Sequence, residues 1–159
     1  MKKLIIAISV LFLSLTVAQA QPYKAAVGLE GGFGGVGLTY KHFTGASNFF
    51  DYKANFTINS GVTSIMLSDT FDWNLPLTNG LSFYYGLGVG LGTSISSSDV
   101  AFLGAVFGNL GLEYVFSAIP FAVSVDWNPG YYMGFNKNAF LGGFGWNHYN
   151  LNLGIKYTL

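Results

Sequence analysis

Beyond the first twenty residues, apolar and polar side chains alternate with a period of two along nearly the whole chain. Ala25, Val27 and Leu29 alternate with Lys24, Ala26, Gly28 and Glu30, and Val36, Leu38 and Tyr40 alternate with Gly37, Thr39 and Lys41. Successive side chains of a strand point to opposite faces, so this pattern predicts two-faced β-strands. The phase repeats at residues 50–59, 64–75, 81–92, 110–116, 121–127 and 149–159, which makes eight strands in all. No stretch sustains a helical period of 3.6 residues.

Breaks between the strands carry turn chemistry. "GGFGG", "TGASN", the stretch around Asn59 to Gly61, "PLTNG" (Pro76 to Gly80) and "SAIP" predict short connections, because Gly and Asn accept positive φ and Pro fixes its own. Two stretches read as longer polar loops: "TSISSSD", Thr93 to Asp99, and the segment from Asn128 to Ala139.

Bulk decides which face is inside. One face collects Tyr40, Phe50, Tyr52, Phe56, Phe71, Trp73, Phe83, Tyr85, Tyr114, Phe116, Trp127 and Tyr157; the other is rich in Gly, Ala, Ser, Thr and Asn. An eight-stranded barrel has a lumen only just wide enough to be filled by side chains, so the aromatic face has to point out and the small face in. That is the arrangement of a membrane barrel. The expectation is an all-β, eight-stranded antiparallel up-and-down transmembrane β-barrel, with its last strand paired to its first so that no backbone edge meets lipid.

Charge follows the same phase. Lys24, Glu30, Lys41, Asp51, Lys53, Asp72, Glu113, Asp126 and Lys156 all fall on the small face and are expected to form a charge network in the lumen. Asp69 breaks the rule: it lies in phase with Ile65, Leu67, Phe71 and Trp73 and should face lipid. Either the lipid-crossing part begins below it or it meets another protein.

The first twenty residues, "MKKLIIAISVLFLSLTVAQA", place two lysines, an apolar run and an Ala-x-Ala ending in the order of a cleaved signal peptide. The run is shorter than the roughly 17–25 residues of a spanning helix. Residues 1–20 are therefore read as leader and 21–159 as a single barrel domain. Composition agrees with an envelope protein. Aromatic residues make up 18% and charged residues only 9% of the chain, against about 25% charged in soluble domains. There is no cysteine, which excludes disulfides, zinc-thiolate sites and thiol catalysis. The basic residues are seven lysines, scattered and without arginine, and give no basic patch for nucleic acid.

"GLTYKHF", "FYYGLGVGLG", "LGLEYVFSAIPFAVSVDWNPG" and the closing "YNLNLGIKYTL" together resemble the small outer-membrane β-barrel proteins of Gram-negative bacteria, the OmpA/OmpX-like architecture. Asn152, Gly154, Tyr157 and Leu159 resemble that family's C-terminal insertion signal, which many members close with Phe rather than Leu. The resemblance implies location in the outer membrane, both termini in the periplasm, contact with outer-membrane lipid and delivery by the barrel-assembly machinery. It implies no single activity.

Signals for chemistry are few. "GFGGVG", Gly32 to Gly37, matches a dinucleotide fingerprint but is followed by strand-like "LTYKHF" rather than a helix. His42 and His148 are the only histidines and fall at different heights, so no metal site, cofactor or catalytic residue is expected. The reading is a non-enzymatic barrel without a large pore, serving envelope structure or surface interaction, with loops 93–99 and 128–139 as candidate contacts for an extracellular partner. Two alternatives stay open: a lipid A deacylase or acyltransferase, although His148 is not followed by the deacylases' His-x-Ser pattern, and a soluble exported lipocalin-like barrel.

Overall fold

The alternation folds into ten strands in a computed structural model that describes residues 23–32, 35–97, 99–136, 140–145 and 151–159. They are β1 (Ala25–Gly32), β2 (Gly35–Phe43), β3 (Asn48–Asn59), β4 (Val62–Thr78), β5 (Leu81–Ile95), β6 (Val100–Val115), β7 (Phe121–Trp127), β8 (Gly130–Phe135), β9 (Phe140–Gly145) and β10 (Leu151–Thr158). Among the described residues there is no helix. Every pairing is antiparallel, in the order β5-β4-β3-β2-β1-β10-β7-β6, and β6 pairs again with β5. The sheet is a closed barrel.

Ten strands make eight staves. β7 pairs with residues 110–115 of β6 and β8 with residues 102–107, so β7 and β8 are two halves of one stave, broken at Asn128 and Pro129. Proline has no N–H to give a ladder, but its carbonyl accepts from Gly108 N at 2.7 Å and holds the broken stave in place. β9 pairs with β8, and β10 with β7 and β1, as the halves of the eighth stave. Closure runs from Ala26↔Thr158 to Gly32↔Asn152.

The turns at residues 44–47, 79–80 and 116–120 lie at the same end as Tyr23 and Leu159, here called the base; 60–61, Ser96 and Asp99 lie at the other end, the rim. Ser60 and Gly61 take φ of 48° and 82°, the paired left-handed conformations of a two-residue hairpin turn. The rim is uneven. β1 and β2 stop at Gly32 and Gly35, while β5 and β6 continue to Ile95 and Val100.

Several expected boundaries move. Parts of the two longer loops are strand: β5 takes in Thr93 to Ile95, and β8 occupies the middle of 128–139. β6 begins at Val100 rather than Leu110 because its rim half is apolar on both faces, which erases the alternation. β4 runs through Pro76 to Thr78, accommodating the proline in a bulge. The leader, residues 137–139, and His148 to Asn150 at the head of the last expected strand lie outside the described residues.

Inside and outside are the reverse of a water-soluble barrel. Leu87 and Leu91 are 68% and 75% exposed, whereas Lys41, Asp51, Asp72 and Asp126 are fully buried. Outward aromatics ring the base: Phe50–Phe71 and Phe71–Trp73 have centroids 5.0 Å apart, and Tyr114–Phe116 and Phe121–Tyr157 meet edge to face. Aliphatic side chains such as Leu67, Val89 and Val106 form the band above it. Asp69 faces outward between Tyr52 and Val89, one outward position above Phe71, with one carboxylate oxygen buried and unpartnered.

Candidate functional site: the lumen

Inward positions of seven staves bring charged groups together at mid-height. Lys41 pairs with Glu113 at 2.8 Å and Lys53 with Glu30 at 2.9 Å. Lys53 also lies 3.9 Å from Asp51 and from Asp126, and Lys156 lies 3.7 Å from Asp51 and 3.8 Å from Glu113. Desolvating these ions is costly, and only mutual attraction with completed hydrogen bonding makes the cluster tolerable. Neutral donors supply that completion. Tyr23 donates to Glu113 and Tyr84 to Asp126, each at 2.5 Å; Thr39 donates to Asp51, Ser124 to Asp126, and Lys156 to Ser124. Asp72 stands slightly apart, bonded by Thr70 and by the amide of Asn109, which is linked in turn through Asn128 to Asn152.

Eight of the nine charges expected in this network are buried in the lumen: Glu30, Lys41, Asp51, Lys53, Asp72, Glu113, Asp126 and Lys156. Lys24 is the correction. It is exposed at the base, because it precedes β1 and the wall there does not enclose it.

Below the charges the lumen is closed by rings. Tyr23 and Phe43, Phe43 and Phe49, and Phe49 and Tyr84 have centroids 5.2, 5.1 and 5.3 Å apart. The Lys41 ammonium sits 3.9 Å above the Phe49 ring and 4.6 Å above Tyr84, within cation–π range. Tyr84 fits because Gly111 lies opposite it: a Cβ there would overlap the tyrosine ring. Sequence reasoning found the charges but missed Phe43 and Phe49, whose only signal was their place on the inward phase of β2 and β3.

Above the charges the lumen opens. Inward Gly86, Gly88, Gly90 and Gly92 on β5, with Gly35 and Gly37 on β2, leave room that Phe107 fills only in part, by packing over Gly88. What remains is a cavity of about 260 Å³ toward the rim, with the Lys53–Glu30 pair, Asn55, Ser68, Met66, Leu103, Phe107, Tyr132 and Asn152 in its wall.

The remaining sequence candidates separate. Asn152 lines the cavity and Gly154 faces inward beside Ser124, whereas Tyr157 points outward against Phe121 and Leu159 is exposed, its backbone bonded to Ala25. "GFGGVG" spans the β1–β2 connection and leads into a strand, the wrong frame for a dinucleotide. His42 stacks near Tyr40 on the outer face, and among the described residues no cluster of His, Asp and Glu is arranged to hold a metal. Scans of protein-family models, curated proteins and solved structures return no match to this chain.

Proposed function

We propose that this chain is an integral outer-membrane β-barrel protein, exported behind a cleaved leader, with a structural or surface-interaction role and no large pore. One observation carries the reading: the wall presents Leu, Val and aromatic side chains outward all round and buries lysines and carboxylates at its centre. In water this arrangement exposes the apolar face and gains nothing for it. In a bilayer the same face is solvated by lipid, and charge is kept from the hydrocarbon midplane, where a lysine costs about 2–4 kcal/mol. The aromatic ring at the base fits a membrane–water interface, and exposed Phe102, Phe135 and Phe140 stand near the rim as a second, less regular set.

The lumen argues against a broad aqueous channel, because the charge cluster and the rings beneath it fill the base half. It argues equally against a lipocalin-like apolar ligand chamber, since that chamber would have lysine and carboxylate at its centre. Fractionation of cells expressing the full chain tests the proposal. The protein should sediment with outer membranes, resist extraction by carbonate, require detergent for release and migrate differently on gels before and after boiling. Recovery in the soluble periplasmic fraction would overturn it.

A further inference from the structure

We infer that the rim-side cavity is a binding site for a single neutral sugar ring. The inference rests on the fold and the cavity alone, so it stands or falls separately from the membrane assignment.

Size sets the first limit. At about 260 Å³ the cavity has room within its walls for one six-membered ring, and a longer glycan would have to extend out toward the rim. Polarity sets the second. Its floor is the Lys53–Glu30 pair, its sides carry the amides of Asn55 and Asn152, and the Phe107 and Tyr132 rings lie parallel with centroids 6.2 Å apart. An acyl chain inserted here would strip water from those polar groups and return no hydrogen bonds. An anion would meet Glu30 beside Lys53, with Asp51 and Asp126 behind it at 3.9 Å. An organic cation would meet the Lys53 ammonium, with the nearby carboxylates already committed to lysines.

A sugar ring satisfies both limits. Its C–H face suits an aromatic plane and its hydroxyls both donate and accept. Lys53 and Glu30 are committed to each other at 2.9 Å with both paired atoms buried, so the floor sets the polarity of the cavity without offering a free donor or acceptor. The groups that meet the sugar hydroxyls are those of the wall, the Ser68 hydroxyl among them. Asn55 adds an amide without a side-chain partner among the described residues. The ring could belong to a free monosaccharide or end a surface glycan or glycolipid, and the chemistry in the cavity is the same.

The test uses the chain from residue 21, refolded in lauryldimethylamine oxide, a detergent without a sugar head, and titrated with methyl glucoside, methyl galactoside and N-acetylglucosamine by saturation-transfer NMR. At least one should bind saturably. Ser68→Leu, which fills the cavity, should weaken that sugar at least tenfold, and Asn55→Ala should weaken it severalfold; should the first variant fail to refold, the second carries the test alone. The glucoside and galactoside should be unaffected by equimolar inorganic phosphate. Repeating the titration with nanodiscs holding a glycolipid of the preferred sugar separates the sources: competition by the glycolipid assigns a surface glycan, and its absence assigns the free sugar. Lack of saturable binding by all three sugars, or equal affinity in wild type and both variants, would overturn the inference.

Discussion

The base half and the rim half of the lumen are enclosed by largely the same staves, yet one is filled and the other is hollow. In the base half, inward positions hold Lys41, Asp51, Glu113, Phe49 and Tyr84, each fully buried or nearly so. In the rim half the same phase holds Gly90, Gly92, Ser68 and Asn55, and a cavity results. Side-chain size on one face of a strand therefore decides which half of the lumen is filled, independently of the outer face. The base half thus holds the charge and ring contacts, and the rim half holds the cavity.

Breaking the filled half should have the largest effect. Lys53→Met removes the cation paired with Glu30 and Asp126 and one of the two beside Asp51, and uncompensated buried charge costs about 3–5 kcal/mol. Urea unfolding of the chain refolded into lipid vesicles should register the loss. Next comes the outer wall. Leu87→Lys places a charge on the aliphatic band and should cost about 2–4 kcal/mol in vesicles, with the cost falling toward zero for lysine at Phe116 near the base.

The glycines sharpen the contrast. Gly111→Ala drives a methyl into the Tyr84 ring and should destabilise by about 1–3 kcal/mol through overpacking. Gly90→Ala meets Met66 Sδ at 3.3 Å, Ser68 Cβ at 3.4 Å and Leu67 O at 3.5 Å, so a small shift accommodates it and stability should change by less than about 0.5 kcal/mol. Equal losses at the two sites, measured in the same vesicles, would contradict the division into filled and hollow halves. The smallest effect belongs to Asp69→Leu, which removes an outward carboxylate with one unpartnered oxygen and should stabilise by at most about 1 kcal/mol.

Faces were more legible in the sequence than lengths. Period-two alternation identified the staves and put the large aromatics of β3, β4 and β5 outside, because one apolar phase and one polar phase stayed distinct there. It failed where both phases are apolar. In the rim half of β6, Phe102 and Val106 face out while Leu103 and Phe107 face in, so the alternation disappears and half a strand went unseen. β8 hid for a related reason: Asn128, Pro129 and Gly130 are strong turn signals, and "GYYMGF" keeps no polar phase behind them. Of the site, the charges were readable because lysine and carboxylate contrast with their neighbours. Phe49 was not, since it sits next to an outward aromatic, Phe50, and bulk cannot tell adjacent rings apart. The glycine run on β5 was visible, but only the partner strands reveal which glycine is covered and which faces empty space.

The inverted wall can be read directly with spin labels, because the chain has no native cysteine to compete for them. Single cysteines at Leu67, Leu87, Val89, Leu91 and Val106, labelled and reconstituted into vesicles, should be relaxed strongly by oxygen, which concentrates in hydrocarbon, and weakly by a water-soluble nickel chelate. The opposite ranking at these five positions would show that the aliphatic band faces water, and the barrel would then have to be a soluble one.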